Sequence, residues 1–124
     1  MAFVDNLGKI TINRGDCFQI PLFINMGTED EPIRLDFKEF SNLGIEIYLG
    51  VYPPHYSFEY SLIRKKFTYL DANENGDVVI KIDPQDTVNL FPGNYKYSIK
   101  ATMQDVNQEN WVSTIIDAND FYII

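Results

Sequence analysis

Cysteine is almost missing from this chain. The 124 residues hold one, Cys17, which excludes an internal disulfide and any multi-cysteine zinc site. The fold must rest on side-chain packing, which suits a reducing compartment or assembly inside a cell. Cys17 lies in a strand-like run with no histidine beside it, so it reads as a small buried hydrophobe. Histidine is as scarce: with His55 alone, no histidine pair can hold zinc. No apolar run approaches the roughly 18 residues of a membrane helix. The opening MAFVDNLGKI lacks the basic segment and long apolar stretch of a secretory leader. No glycine-rich phosphate loop follows a strand, since Gly8, Gly15, Gly44 and Gly50 stand isolated. Positive charge is in deficit: 18 acidic against 10 basic residues give −8, which repels duplex DNA and anionic lipid. The best local exception is the short run Arg64-Lys65-Lys66. The sequence thus predicts no nucleic-acid partner, no membrane partner and no cofactor.

What is present is a globular composition, 45% apolar and 23% charged, in a length that suits one domain with one core. Apolar and polar residues alternate, the period of strands. Ile10 and Ile12 share a face. Phe18, Ile20, Leu22 and Ile24 share another, opposite Cys17, Gln19, Pro21 and Phe23. Pro21 cannot donate to a ladder and predicts an edge or a bulge. Residues 25–33 read as a polar loop, followed by a short strand through Ile33, Leu35 and Phe37. Ile45, Ile47, Leu49 and Val51 make the clearest inward face. In residues 61–69 Lys65 interrupts the face of Ile63 and Phe67, which predicts a bulge or a solvent-facing half. Val78, Ile80 and Ile82 alternate after a turn. Asp83-Pro84-Gln85-Asp86-Thr87 reads as one capped helical turn. Tyr95, Tyr97, Ile99, Ala101 and Met103 face one way, and Lys96, Ser98, Lys100 and Thr102 the other. A polar hairpin loop spans 105–110, Trp111 to Ile116 is a strand, 117–119 a turn, and Phe121 to Ile124 a last strand. Seven to nine short strands with no long helix close most easily as an antiparallel β-sandwich. Residues 1–8 read as an N-terminal arm and 9–124 as the sandwich domain.

Few constellations in this pattern carry chemistry. Asp71, Asn73, Asn75 and Asp77 copy the opening of a calcium loop, with Gly76 at its sixth position. The twelfth position, a glutamate in such loops, is Ile82, and an Asn-Gly hairpin turn accounts for the same letters. No nucleophile elbow accompanies His55, and acidic pairs arise by chance in so acidic a chain, so no catalytic residue is assigned. Leu90, Pro92, Gly93 and Tyr95 look like the tyrosine corner of immunoglobulin-like sandwiches, in which the hydroxyl bonds back to upstream backbone. An ordinary Pro-Gly turn is the alternative. Arg14-Gly15-Asp16 spells an integrin tripeptide but reads here as a turn. Tyr52, Pro53, Pro54, Tyr56, Phe58 and Tyr60 crowd one loop, either as an interface or as a cap on the sandwich. Phe3, Val4 and Leu7 make the arm a candidate for strand addition to a neighbouring chain, disorder being the other reading.

The stretches ITINRGD and FQIPLFINMGT, then IYLGVYPP and SLIRKKFTY, then NENGDVVIKIDPQDT and LFPGNYKYSIKA, resemble a family of small tailed-bacteriophage proteins. They are similar to the N-terminal domain of baseplate upper proteins and to short single-domain virion proteins. The resemblance spans residues 9–124 and rests on turn and packing signals. It implies an immunoglobulin-like β-sandwich serving as a scaffold, without enzymatic activity, assembled in the host cytoplasm and retained in the virion. Its partners would be other virion proteins, in many copies, with a homo-oligomer one option. Longer members join a receptor-binding part to the baseplate. Without such a part in these 124 residues, the expected role widens to an adaptor or decoration module of the baseplate, tail, neck or capsid. A carbohydrate- or receptor-binding module is the alternative, because aromatic loops suit sugar stacking.

Overall fold

A computed structural model describes residues 2–4, 7–27, 30–34, 36–38, 44–104 and 110–124. Among these the chain forms the strands β1 (Ala2–Val4), β2 (Ile10–Ile12), β3 (Phe18–Pro21), β4 (Ile24–Gly27), β5 (Pro32–Arg34), β6 (Glu46–Tyr52), β7 (Ile63–Phe67), β8 (Val79–Ile82), β9 (Gly93–Gln104) and β10 (Asn110–Ile123). One helical turn, α1 (Pro84–Thr87), lies between β8 and β9. The fold is all-β.

The alternation in the sequence sets the layers. A five-stranded sheet runs in the order β2-β10-β9-β6-β7, antiparallel except where β2 lies parallel to β10. Its inner face carries Ile47, Leu49 and Val51 of β6 beside Tyr97, Ile99 and Ala101 of β9, all buried. The pair β3-β8 and the sheet β1-β4-β5 make up the remaining strands. Val78, Ile80 and Ile82 join Leu22, Ile24 and Phe37 in the same apolar cluster as the inner face of the large sheet. Removing this surface from water is the main stabilising term, at roughly 25 cal/mol per Å².

Polar bonds fasten the end of the molecule where β2, β6, β8 and β10 finish and β3, β7 and β9 begin. The N–H of Arg14 donates to the carbonyl of Ile124 at 3.0 Å. The N–H of Gly15 donates to the hydroxyl of Thr87, itself fully buried, at 2.9 Å. Tyr95 donates its hydroxyl to the carbonyl of Phe91, four residues upstream, at 2.6 Å. Tyr97 donates to the carbonyl of Gly8.

Several expectations are corrected. Residues 25–33 are no simple loop: β4 and β5 pair through Asn25↔Arg34, Met26↔Ile33 and Gly27↔Pro32. Leu35 lies outside the described residues, as do 105–109 of the expected hairpin loop. The turn expected at 117–119 is a bulge within one continuous strand. β10 shifts register against β9 between Thr114 and Ile116 and again between Ile116 and Asn119. Cys17 is exposed, because it precedes β3 where the chain leaves the turn.

Lys65 needs neither a bulge nor an outward half. β7 stays in register with β6 through Leu49↔Lys65, and the ammonium reaches Asp83 Oδ2 at 3.0 Å and Asp86 Oδ2 at 2.8 Å. Burial pushes its pKa down, but the bonds to Asp86 and Asp83 outweigh that and leave it above its ordinary value. Asp86 also accepts from the backbone N–H of Asp83 at 2.7 Å, so the lysine is tied to a fixed helical start. Lys65→Met keeps the stem and deletes the charge. The expected loss is about 1–2 kcal/mol in urea unfolding, the scale of a half-buried charge-assisted bond. A change near zero would mean that the pair contributes nothing.

Candidate binding face

The outer face of the five-stranded sheet carries a cleft of about 430 Å³ between the 52–60 segment and the bulge of β10. Phe58, on one side of it, packs over Gly50 of β6. A Cβ there would lie 2.5 Å from the Phe58 ring and closer still to Ser61 Oγ, so only glycine lets the Phe58 turn lie on the sheet. Phe58 opens a short 3-10 turn, Phe58–Tyr60. Arg64 holds that turn down, donating to the carbonyls of Glu59 at 2.5 Å and Ser61 at 3.2 Å.

Alternation places Ser98 on the outer face, yet it is buried at 1% exposure because Tyr52 covers it. The two hydroxyls are 2.7 Å apart. Ser98 also accepts from the N–H of Ala118 at 3.0 Å and donates to Asp117 Oδ1 at 3.4 Å. Its one proton goes to Asp117, so Tyr52 is the donor to Ser98. The bulge has a structural role here: Ala118, at φ 49°, turns its N–H onto Ser98.

Pro53 to Tyr56 close a turn with the N–H of Tyr56 donating to the carbonyl of Pro53 at 3.2 Å. Pro54 and His55 hold its central positions, and His55 has φ 72°. That is the type II pattern, in which glycine or asparagine normally takes the left-handed place. A histidine there costs of order 1 kcal/mol and directs attention to function. Tyr56 and Tyr60 are exposed and meet edge to face, with centroids 5.8 Å apart.

Of the charged residues lining the cleft, Lys96 has an opposite charge as partner among the described residues. Lys96 donates to Asp120 at 2.6 Å, a bond that raises its pKa. Glu59 accepts from Ser57 at 3.1 Å. Farther along the face, Tyr48 donates to Glu46, and this bond, aided by Lys66 at 3.1 Å, holds the Glu46 carboxyl below its ordinary range. Lys100 makes no ion pair among the described residues; its ammonium lies 4.6 Å from the Phe58 ring centre.

The aromatic loop therefore divides. Tyr52 is buried, Phe58 half-buried over Gly50, and Pro53 and Pro54 half-buried. Only Tyr56 and Tyr60 of the six offer open surface. Phe3 and Val4 lie in β1, whose backbone pairs within the chain, Phe3↔Asn25 and Val4↔Ile24. Leu7 packs against the core. Within residues 1–8, the described segments 2–4 and 7–8 thus pair and pack within the chain itself.

The calcium-like loop is a folded turn. Asp71 Oδ2 accepts from the N–H of Thr68, and Asn73 Oδ1 accepts from the N–H groups of Asn75 and Asp77. Gly76 has φ 81°, and a Cβ there would run into the Asp36 carboxylate. Asp77 is buried at 2% exposure. Two of the oxygens that a cation would need, Asp71 Oδ2 and Asn73 Oδ1, are engaged by backbone N–H groups.

Sequence reasoning missed Lys100, Asp117 and Phe91 as surface features. Phe91 is 84% exposed, although its place beside Pro92 reads as part of a corner. No known protein family matches the chain, and no curated protein matches it in sequence.

Proposed function

We propose that the chain is a non-enzymatic structural protein of a tailed-phage virion, an immunoglobulin-like assembly module that docks through one end of its sandwich. The observation that carries the docking is the placement of exposed apolar side chains. Among the described residues nine large ones are exposed. Six of them, Tyr56, Tyr60, Leu62, Val88, Phe91 and Ile124, sit at the end where β6, β8 and β10 finish. Soluble surfaces scatter such residues singly; a cluster at one end marks a place that a partner covers.

Strand order supports the finer fold reading. β10-β9-β6-β7 follows the G-F-C-C′ order of a variable-type sheet, and β3-β8 stand as neighbours like B and E. Tyr95, at the start of the strand corresponding to F, bonds back to Phe91, as a tyrosine corner does. The resemblance of its turn and packing motifs to phage baseplate and single-domain virion proteins suggests the setting.

The test pairs Tyr60→Ala with Phe91→Ala, two exposed side chains outside the core. The variant stays folded and monomer stability hardly moves. Its occupancy in purified particles falls at least tenfold, about the effect of losing one interface hot spot. Quantitative mass spectrometry of the particles reads the result. Normal occupancy would rule out this end as the contact, and particles that contain none of the native chain would rule out the virion role itself.

A further inference from the structure

We propose that the outer-face cleft binds a carboxylated sugar. Four observations converge on it. The cleft holds about 430 Å³, within the 300–1,000 Å³ usual for small-ligand sites. Tyr56, 59% exposed and braced by Tyr60, supplies an aromatic surface on which a sugar ring stacks. Thr114 lines the same space with a hydroxyl that can donate and accept, and Ser57, whose proton goes to Glu59, can accept, as a saccharide requires.

Charge selects the sugar. Lys96 is paired with Asp120, while Asp117 and Glu59 keep their charges and accept hydroxyl hydrogen bonds from Ser98 and Ser57. Lys100 is the one cation of the cleft without an ion pair among the described residues, and its ammonium lies over the Phe58 ring. A preformed ammonium beside stacking surface favours a carboxylate at one corner of a polyol. The left-handed His55 keeps its imidazole on the rim at a conformational cost that an ordinary turn would avoid. The site meets the docking end at Tyr56, but Lys100 and Thr114 belong to the sheet face, and Phe91 and Leu62 do not line it.

The intact chain is titrated by calorimetry with cellobiuronic acid and sialyllactose, each against its neutral counterpart, cellobiose and lactose. At least one acidic sugar binds saturably and at least about tenfold more tightly than its neutral partner, the scale of one charge-assisted hydrogen bond. Lys100→Gln erases that preference, and Tyr56→Ala weakens acidic and neutral sugars alike. Both variants keep the thermal midpoint of the parent, since neither side chain is in the core. The proposal is overturned if neither acidic sugar saturates the site, if the neutral sugars bind equally well, if Lys100→Gln keeps the preference, or if acetate or an acidic peptide binds as tightly as the sugars. Particle occupancy of the variant carrying Tyr60→Ala and Phe91→Ala is unaffected by any of these results, so the two readings fail separately.

Discussion

Gly50→Ala lowers the midpoint of thermal unfolding by about 10 °C, although it adds a single methyl group. The added carbon would stand 2.5 and 2.7 Å from two atoms of the Phe58 ring and closer still to Ser61 Oγ. Neither neighbour can step aside alone. Ser61 donates its hydroxyl to the carbonyl of Phe58 at 2.5 Å, and its N–H bonds the same oxygen at 3.1 Å. Arg64 grips the carbonyls on both sides of Tyr60. Leu62 then returns to the sheet through its N–H on the carbonyl of Val51 at 2.7 Å. The turn is fastened at both ends, so the methyl group must lift all of it. Overpacking of a fixed site costs about 2–3 kcal/mol, and each kcal/mol moves the midpoint of a domain this size by about 4 °C. Phe58→Ala placed in the same chain relieves much of the clash, so the two losses add to less than their sum. Strict additivity would mean that the ring does not rest on Gly50. The double variant also widens the cleft and removes the support of Lys100, which links packing directly to recognition.

Legibility of the fold follows the range of the interactions. The inward faces of β6, β8 and β9 are readable because each is a local period-two pattern with nothing against it. The capped turn at Asp83 is readable for the same reason, since Asp-Pro and Asp86 act within four residues. Ser98 is not readable. Its burial depends on Tyr52, 46 residues earlier, and on the N–H of Ala118, 20 residues later. Lys65 reads as a defect in its strand because its partners, Asp83 and Asp86, belong to another layer. The bulge of β10 hides behind Asp117-Ala118-Asn119-Asp120, a string that suits a turn as well as it suits an irregular strand. The aromatic loop shows the same limit for the candidate site. Composition locates the segment, but only the glycine beneath it decides which rings are packing and which are free.

Tyr97 links the core to alkaline pH. Its ring is fully buried against Phe121, with centroids 6.3 Å apart, and its hydroxyl donates to the carbonyl of Gly8. Burial disfavours the phenolate and pushes the pKa from 10.0 up to about 12. The folded state thus holds this proton more tightly than the unfolded chain does. The resulting stability is complete below pH 10 and is lost as pH rises from 10 to about 12. Two pH units at 1.36 kcal/mol each give about 3 kcal/mol. Tyr48, raised by its bond to Glu46, and Lys65, raised by Asp86 and Asp83 against the opposing effect of burial, act with the same sign in the same window. Urea unfolding at stepped pH therefore shows stability falling steeply above pH 10, with the last tyrosinate absorbance appearing together with loss of the β signal in circular dichroism. Tyr97→Phe separates the causes. It gives up the bond to Gly8, about 1 kcal/mol at neutral pH, and removes the titrating group, so its stability declines more gently with pH. Ionisation of Tyr97 while the sheet remains intact would show that its site admits water and a charge, and a Tyr97→Phe protein with an unchanged pH slope would assign the alkaline loss to the other groups.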